Sequence, residues 1–144
     1  MSKYIFDYLT KVSSNDIAII YKNEFVSYYK LKEISESLAT CLEKHNCNDK
    51  LVIGILIEEK PELVYSFLAI AKLNAICFFI NPKYPTSIVQ EVVSKIKPQF
   101  VITEPKLVHK LSDSSEKIKE QIIFSSIIWI LKLNFFERKI DKTN

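Results

Sequence analysis

The chain has 144 residues, 48% of them hydrophobic and 26% charged, with a net charge of +3. This is the balance of one globular domain with a real core, and it excludes a disordered chain. The charge is too small, and the basic residues too scattered, to argue for a nucleic-acid partner.

The first 14 residues carry a short apolar cluster, Tyr4, Ile5, Phe6, Tyr8 and Leu9. It is too short for a secretory h-region with a cleavage site, so a leading helix is expected. Ile17 to Tyr21 and Phe25 to Tyr28 flank the polar break Lys22-Asn23-Glu24, where Asn suits a turn, and together they predict a small hairpin. Ser27 then caps a helix whose inner face is Leu31, Ile34, Leu38 and Leu42 and which ends near Asn46 to Asp49.

Leu51 to Pro85 reads as a complete strand, helix and strand. Val52 to Ile57 and Ile76 to Ile80 are nearly unbroken apolar runs, which predicts parallel strands covered on both faces. Pro61 suits the first helical position, where its missing N–H costs nothing, and Glu62 faces the positive helix end. Val64, Phe67, Leu68 and Ala71 mark one face, which Leu63 and Ile70 widen. The helix is therefore expected to pack on the sheet on one side and on other protein on the other. Asn74 is placed to end it in the left-handed conformation. Gly54, the only glycine, lies inside the first strand and is read as marking close approach of another backbone rather than a ligand contact. A phosphate loop needs several glycines close together, so this chain cannot form one.

Asn81-Pro82-Lys83-Tyr84-Pro85 is turn-rich, and Thr86 is expected to cap a helix with Val89, Val92, Val93 and Ile96 on one face, stopped by Pro98. Phe100 to Ile102 predicts a third strand, Pro105 opens a short polar helix, and Gln121 to Phe124 suggests a fourth strand. Strands and helices alternate. The expected fold is α/β, a partial doubly wound and mainly parallel sheet flanked by helices, with a small N-terminal hairpin.

Residues 126–144 form a divergent tail, apolar and then charged. The apolar stretch Ile122 to Phe136 is shorter than the roughly 20 residues of a membrane span and contains Lys132, so packing as a strand and helix is favoured over a segment left unpaired by truncation, and both over membrane attachment. Cys41, Cys47 and Cys77 are odd in number without a secretory signal, which points to reduced thiols and a cytoplasmic location. Cys41 and His45 share a helix-face spacing, but Cys77 reads as a buried strand residue that cannot readily complete a tetrahedral zinc site, and no metal is expected. His109, on a surface helix without a nearby nucleophile, is read as solvated.

VSYYKLKEISESLA at Val26 to Ala39, the central unit, and YPTSIVQEVVSKIKPQFVIT at Tyr84 to Thr103 resemble the N-terminal part of the AMP-forming adenylating superfamily. That superfamily comprises acyl-CoA synthetases, luciferases and the adenylation domains of nonribosomal peptide synthetases. The pieces are a Ser/Thr-Tyr-x-x-Leu helix start, a strand before a Pro-Glu helix, an Asn/Asp-Pro-x-Tyr-Pro turn, and a Pro-Lys-like step into an Ile-Thr strand. They stand in the family's order from about Asp16 to Ser125, so residues 1–125 are identified as the N-terminal α/β part of an AMP-binding domain. This sequence departs from the pattern at Asn74, where Gly is usual, at Asn48-Asp49 for Gly-Asp, and at Phe79 for Pro. Lys30 also replaces a Glu, which removes a capping box.

The resemblance implies that full-length members use ATP and magnesium to activate a carboxylate as an acyl-adenylate and then form a thioester. The segments that do so in the family lie downstream of the matched region. No catalytic, cofactor-binding or metal-binding residue is assigned in this chain, which is expected to be inactive alone, as a ligase cut short before the phosphate-binding loop. The alternative is a non-catalytic α/β module that pairs with a protein partner through the Pro61-Leu73 helix or the apolar tail. A phosphoacceptor receiver is disfavoured, because Glu58, Asn81 and Glu104 occupy the strand ends with no Asp among them.

Overall fold

The computed structural model describes residues 2–9, 11, 15–44, 50–111 and 122–124. The elements run α1 (Ser2–Leu9), β1 (Ile17–Tyr21), β2 (Glu24–Ser27), α2 (Tyr28–Lys44), β3 (Val52–Leu56), α3 (Pro61–Lys72), β4 (Ile76–Phe79), α4 (Thr86–Ile96), β5 (Phe100–Thr103), a 3-10 helix (Pro105–Leu111) and β6 (Ile122–Phe124). His45, Cys47 and the expected end of α2 at 46–49 lie outside the described residues, as does the tail from 125.

β1 and β2 pair antiparallel, with Tyr21 opposite Glu24 across a two-residue turn. The left-handed residue of that turn is Lys22, at φ 51°, rather than Asn23. β3 to β6 form a parallel sheet in the order β4-β3-β5-β6. The chain leaves β3 toward β4 on one side, crosses back to β5 on the other, and continues outward to β6. That reversal makes the sheet doubly wound.

Two cores follow from the period-2 alternation of the strands. Ile53, Ile55, Ile57 and Ile102 face α2 and α3, where they meet Ile34, Leu38, Leu42, Tyr65 and Ile70. Leu56, Val101 and Ile80 face the other way, onto Val89 and Val93 of α4 and onto Leu107 and Leu111. β4 corrects one expectation, because its apolar run is an edge strand whose end residues Ile76 and Phe79 are each 54% exposed. Cys77 within it is half-buried rather than buried, and burial still pushes its thiol up to about 11.

Gly54 is close to a side chain, not to a backbone as expected. A Cβ built there would stand 3.0 Å from Cε1 and 3.1 Å from Cζ of Phe78 on the neighbouring strand. The ring occupies the space that any other residue would fill.

The helix ends show local chemistry at work. Ser27 caps α2 by accepting the Lys30 N–H at 3.1 Å, so one half of a capping box survives without the Glu. The Lys30 ammonium, 8% exposed as a residue, instead lies 3.6 Å from Glu24 on the hairpin. Pro61 is the first residue of α3. At the other end Asn74 adopts φ 57°, Asn74 N–H donates to Ala71 O, and Ala75 N–H donates to Ile70 O at 3.2 Å. That is a Schellman motif, with Asn serving where Gly is commoner. α4 differs from expectation: Pro85 holds the N-cap position with no side-chain cap, and Thr86 is already helical. Lys97, left-handed at φ 52°, ends α4 just before Pro98.

The buried face of α3 is turned from the expected Val64, Phe67, Leu68 and Ala71 stripe widened by Leu63 and Ile70: Leu68, Ile70 and Ala71 are inside, while Leu63, Val64 and Phe67 are only partly buried. Pro61, Glu62, Tyr65, Ser66 and Ala69 are inside as well, and both α1 and α2 pack on this helix. Lys72 fastens α1 by lying over the Phe6 ring at 4.7 Å and reaches Glu36 of α2 at 3.5 Å. No helix among the described residues is long and apolar enough to cross a membrane.

Candidate functional site

Open α/β sheets bind ligands at the carboxyl ends of their strands, beside the point where the winding reverses. Here that point lies between β3 and β5, which are neighbours in the sheet. Each of these strands is followed by the same short pattern, Glu-x-Lys, as Glu58-Glu59-Lys60 and Glu104-Pro105-Lys106.

The two patterns exchange partners. Glu104, only 4% exposed, accepts the Glu58 backbone N–H through Oε2 at 3.0 Å and pairs through Oε1 with the Lys60 ammonium. Lys106 returns the contact by donating to Glu58 Oε2 at 2.6 Å. Beneath them, Thr103 Oγ1 donates to Leu56 O at 2.8 Å. The Lys106 hydrogen bond holds the exposed Glu58 carboxyl below its ordinary range. Burial draws the Lys60 ammonium down, against the pull of Glu62 and Glu58.

Beside this network, toward β4, lies a cleft of about 700 Å³. Ile55, Ile57, Leu63, Phe79 and Ile80 make its apolar wall, and Glu58, Glu59, Asn81 and Lys83 line its polar part. Its rim is the Asn81–Pro85 turn, which is tied at several points. Asn81 Oδ1 accepts the Lys83 N–H at 2.9 Å, and Asn81 O accepts the Tyr84 N–H at 3.1 Å. Lys110 reaches across from the 3-10 helix and donates to Pro82 O at 2.6 Å and Tyr84 O at 2.7 Å. The turn is thus anchored to the element that follows β5.

The arrangement positions backbone better than it performs chemistry. Glu58 and Glu104 come together as the strand-end reading places them, while Asn81 stands at the end of the outer strand β4. Both carboxylates carry lysine partners, so neither presents an open ligand set to a cation. Among the described residues no group of three or more His, Cys, Asp or Glu could hold a metal ion. Gly54 is covered by Phe78 and offers no cradle for phosphate. His109 is exposed, as expected, and its Nδ1 lies 3.0 Å from Lys106 O. The zinc reading rests partly on His45 and Cys47, outside the described residues.

Lys60, Lys106 and Lys110 were not singled out by the sequence. The repeated Glu-x-Lys after two apolar strands is the signal that could have found the first two. Lys110 gave none, because its contacts are to backbone carbonyls.

Comparison with known proteins relates this chain to a family. The family model described as "AMP-binding enzyme" matches residues 6–141. Zwittermicin A synthase ZmaJ of Bacillus cereus is 27% identical over 100 residues, covering 69% of this chain and 19% of that protein. Tyrocidine synthase 2 of Brevibacillus parabrevis is 24% identical over 114 residues, or 79% of this chain and 3% of that protein. Among solved structures, the NpsA N-terminal subdomain of Klebsiella oxytoca, in complex with anthranilyl-AMSN, superposes with a TM-score of 0.73 at 23% identity, covering 88% of this chain and 31% of that one. The unliganded o-succinylbenzoate coenzyme A synthetase MenE of Bacillus subtilis gives 0.75 at 19%, covering 85% and 26%. The chain therefore spans a minor part of each of these proteins. The match from residue 6 to residue 141 shows that the chain belongs to the AMP-binding enzyme family.

Proposed function

We propose that this chain supplies the N-terminal framework of an acyl-adenylate-forming ligase, in which a carboxylate is activated with ATP and magnesium. The observation that carries the reading is the Asn81–Pro85 turn, held between β4 and Lys110 at the carboxyl edge of a doubly wound sheet and lying within the family match. Synthases and a coenzyme A synthetase stand among the relatives, and adenylation of a carboxylate is the step that the superfamily resemblance implies for both.

The described residues do not fit a magnesium nucleotide by themselves. A phosphoryl or adenylyl transfer needs donors and cations aimed at the developing charge. Here the candidate lysines Lys60 and Lys106 are turned onto Glu104 and Glu58. The work of the described residues is to fix the turn, the cleft wall and the strand ends against which the rest of such a domain would close.

A second reading, a non-catalytic interaction module, is favoured by one observation. Phe79 is exposed on the edge strand beside Phe67 of α3, with ring centroids 5.8 Å apart. Pyrophosphate exchange into ATP, driven by a panel of carboxylic and amino acids, separates the two. The chain alone is expected to give none, and the chain joined to the phosphate-binding remainder of a matched adenylation domain is expected to support acid-dependent exchange. Exchange by the chain alone overturns the framework role. A folded joined protein without exchange overturns the ligase reading and leaves the interaction module.

A further inference from the structure

No further inference is drawn: the strongest candidate, the apolar surface at the outer β4 edge formed by Ile76 and Phe79 with the neighbouring cleft wall at Leu63, carries nothing, because nothing in the structure shows what covers it.

Discussion

The buried Glu104 carboxylate accepts the backbone N–H of Glu58 at 3.0 Å, joining the ends of two parallel strands from positions 46 residues apart. The same carboxylate neutralises Lys60. Replacing it with alanine strands a backbone donor and a partly buried lysine, so Glu104→Ala is expected to cost about 1–3 kcal/mol. Glu104→Gln keeps an acceptor for the N–H and is expected to cost roughly half as much. Urea unfolding with an unchanged m-value measures both. A Glu104→Ala variant as stable as the parent would mean that the strand ends are held by packing alone.

Gly54 and Phe78 are predicted to be coupled. Gly54→Ala places a methyl group against the Phe78 ring and is expected to destabilise the fold by about 1–3 kcal/mol. Phe78→Leu removes the obstructing ring atoms, and in that background the same Gly54→Ala change should cost less by at least about 1 kcal/mol. Additive effects in the double-mutant cycle would contradict the packing account of this glycine.

Much of the fold could be read from local pattern because the signals are local. Pro61 and Glu62 at a helix start, Asn74 at its end, and two apolar runs of strand length define a crossover without reference to any distant residue. The exposure of Ile76 and Phe79 could not be read in this way, since an apolar run looks the same in a central strand and at an edge. Strand order decides it, and strand order depends on the return of the chain to β5. Gly54 inside an apolar strand points to packing, but its neighbour is a ring two strand positions from the start of β4 and not a backbone, which only the register reveals. The candidate site was least legible. Each Glu-x-Lys suggests a local pair, yet each lysine bonds the other strand's glutamate, and that exchange exists only once β3 and β5 lie side by side.

Cys77 offers a titration of the edge strand. Its thiol ordinarily loses its proton near 9.0 and is held up to about 11 by burial. Between those values the unfolded chain releases the proton while the folded chain keeps it, so stability falls as pH rises through the window and is unaffected by this group below it. At pH 8 the native thiolate population is expected to be about 100-fold lower than in the unfolded chain. Alkylation of Cys77 with iodoacetamide should slow accordingly in the folded protein. Equal rates with and without denaturant would show that β4 opens freely.

Lys110→Met tests the tie on the Asn81–Pro85 turn. Both hydrogen bonds end on backbone carbonyls, one part-buried and one exposed, so global stability should change by only about 1 kcal/mol. The Lys83 and Tyr84 amides, whose bonds close the turn, are expected to exchange several-fold faster with solvent hydrogen. Unchanged protection at both amides would show that the turn holds itself.

Thermal unfolding of the purified chain, with and without magnesium and ATP, tests the central claim most directly. A ligand at free concentration L that binds only the native state stabilises it by RT ln(1 + L/Kd), so the unfolding temperature keeps rising with ligand concentration. The framework role predicts one cooperative transition whose midpoint is the same in both conditions. A midpoint that climbs with ATP concentration would contradict it, and would place a nucleotide site within these 144 residues.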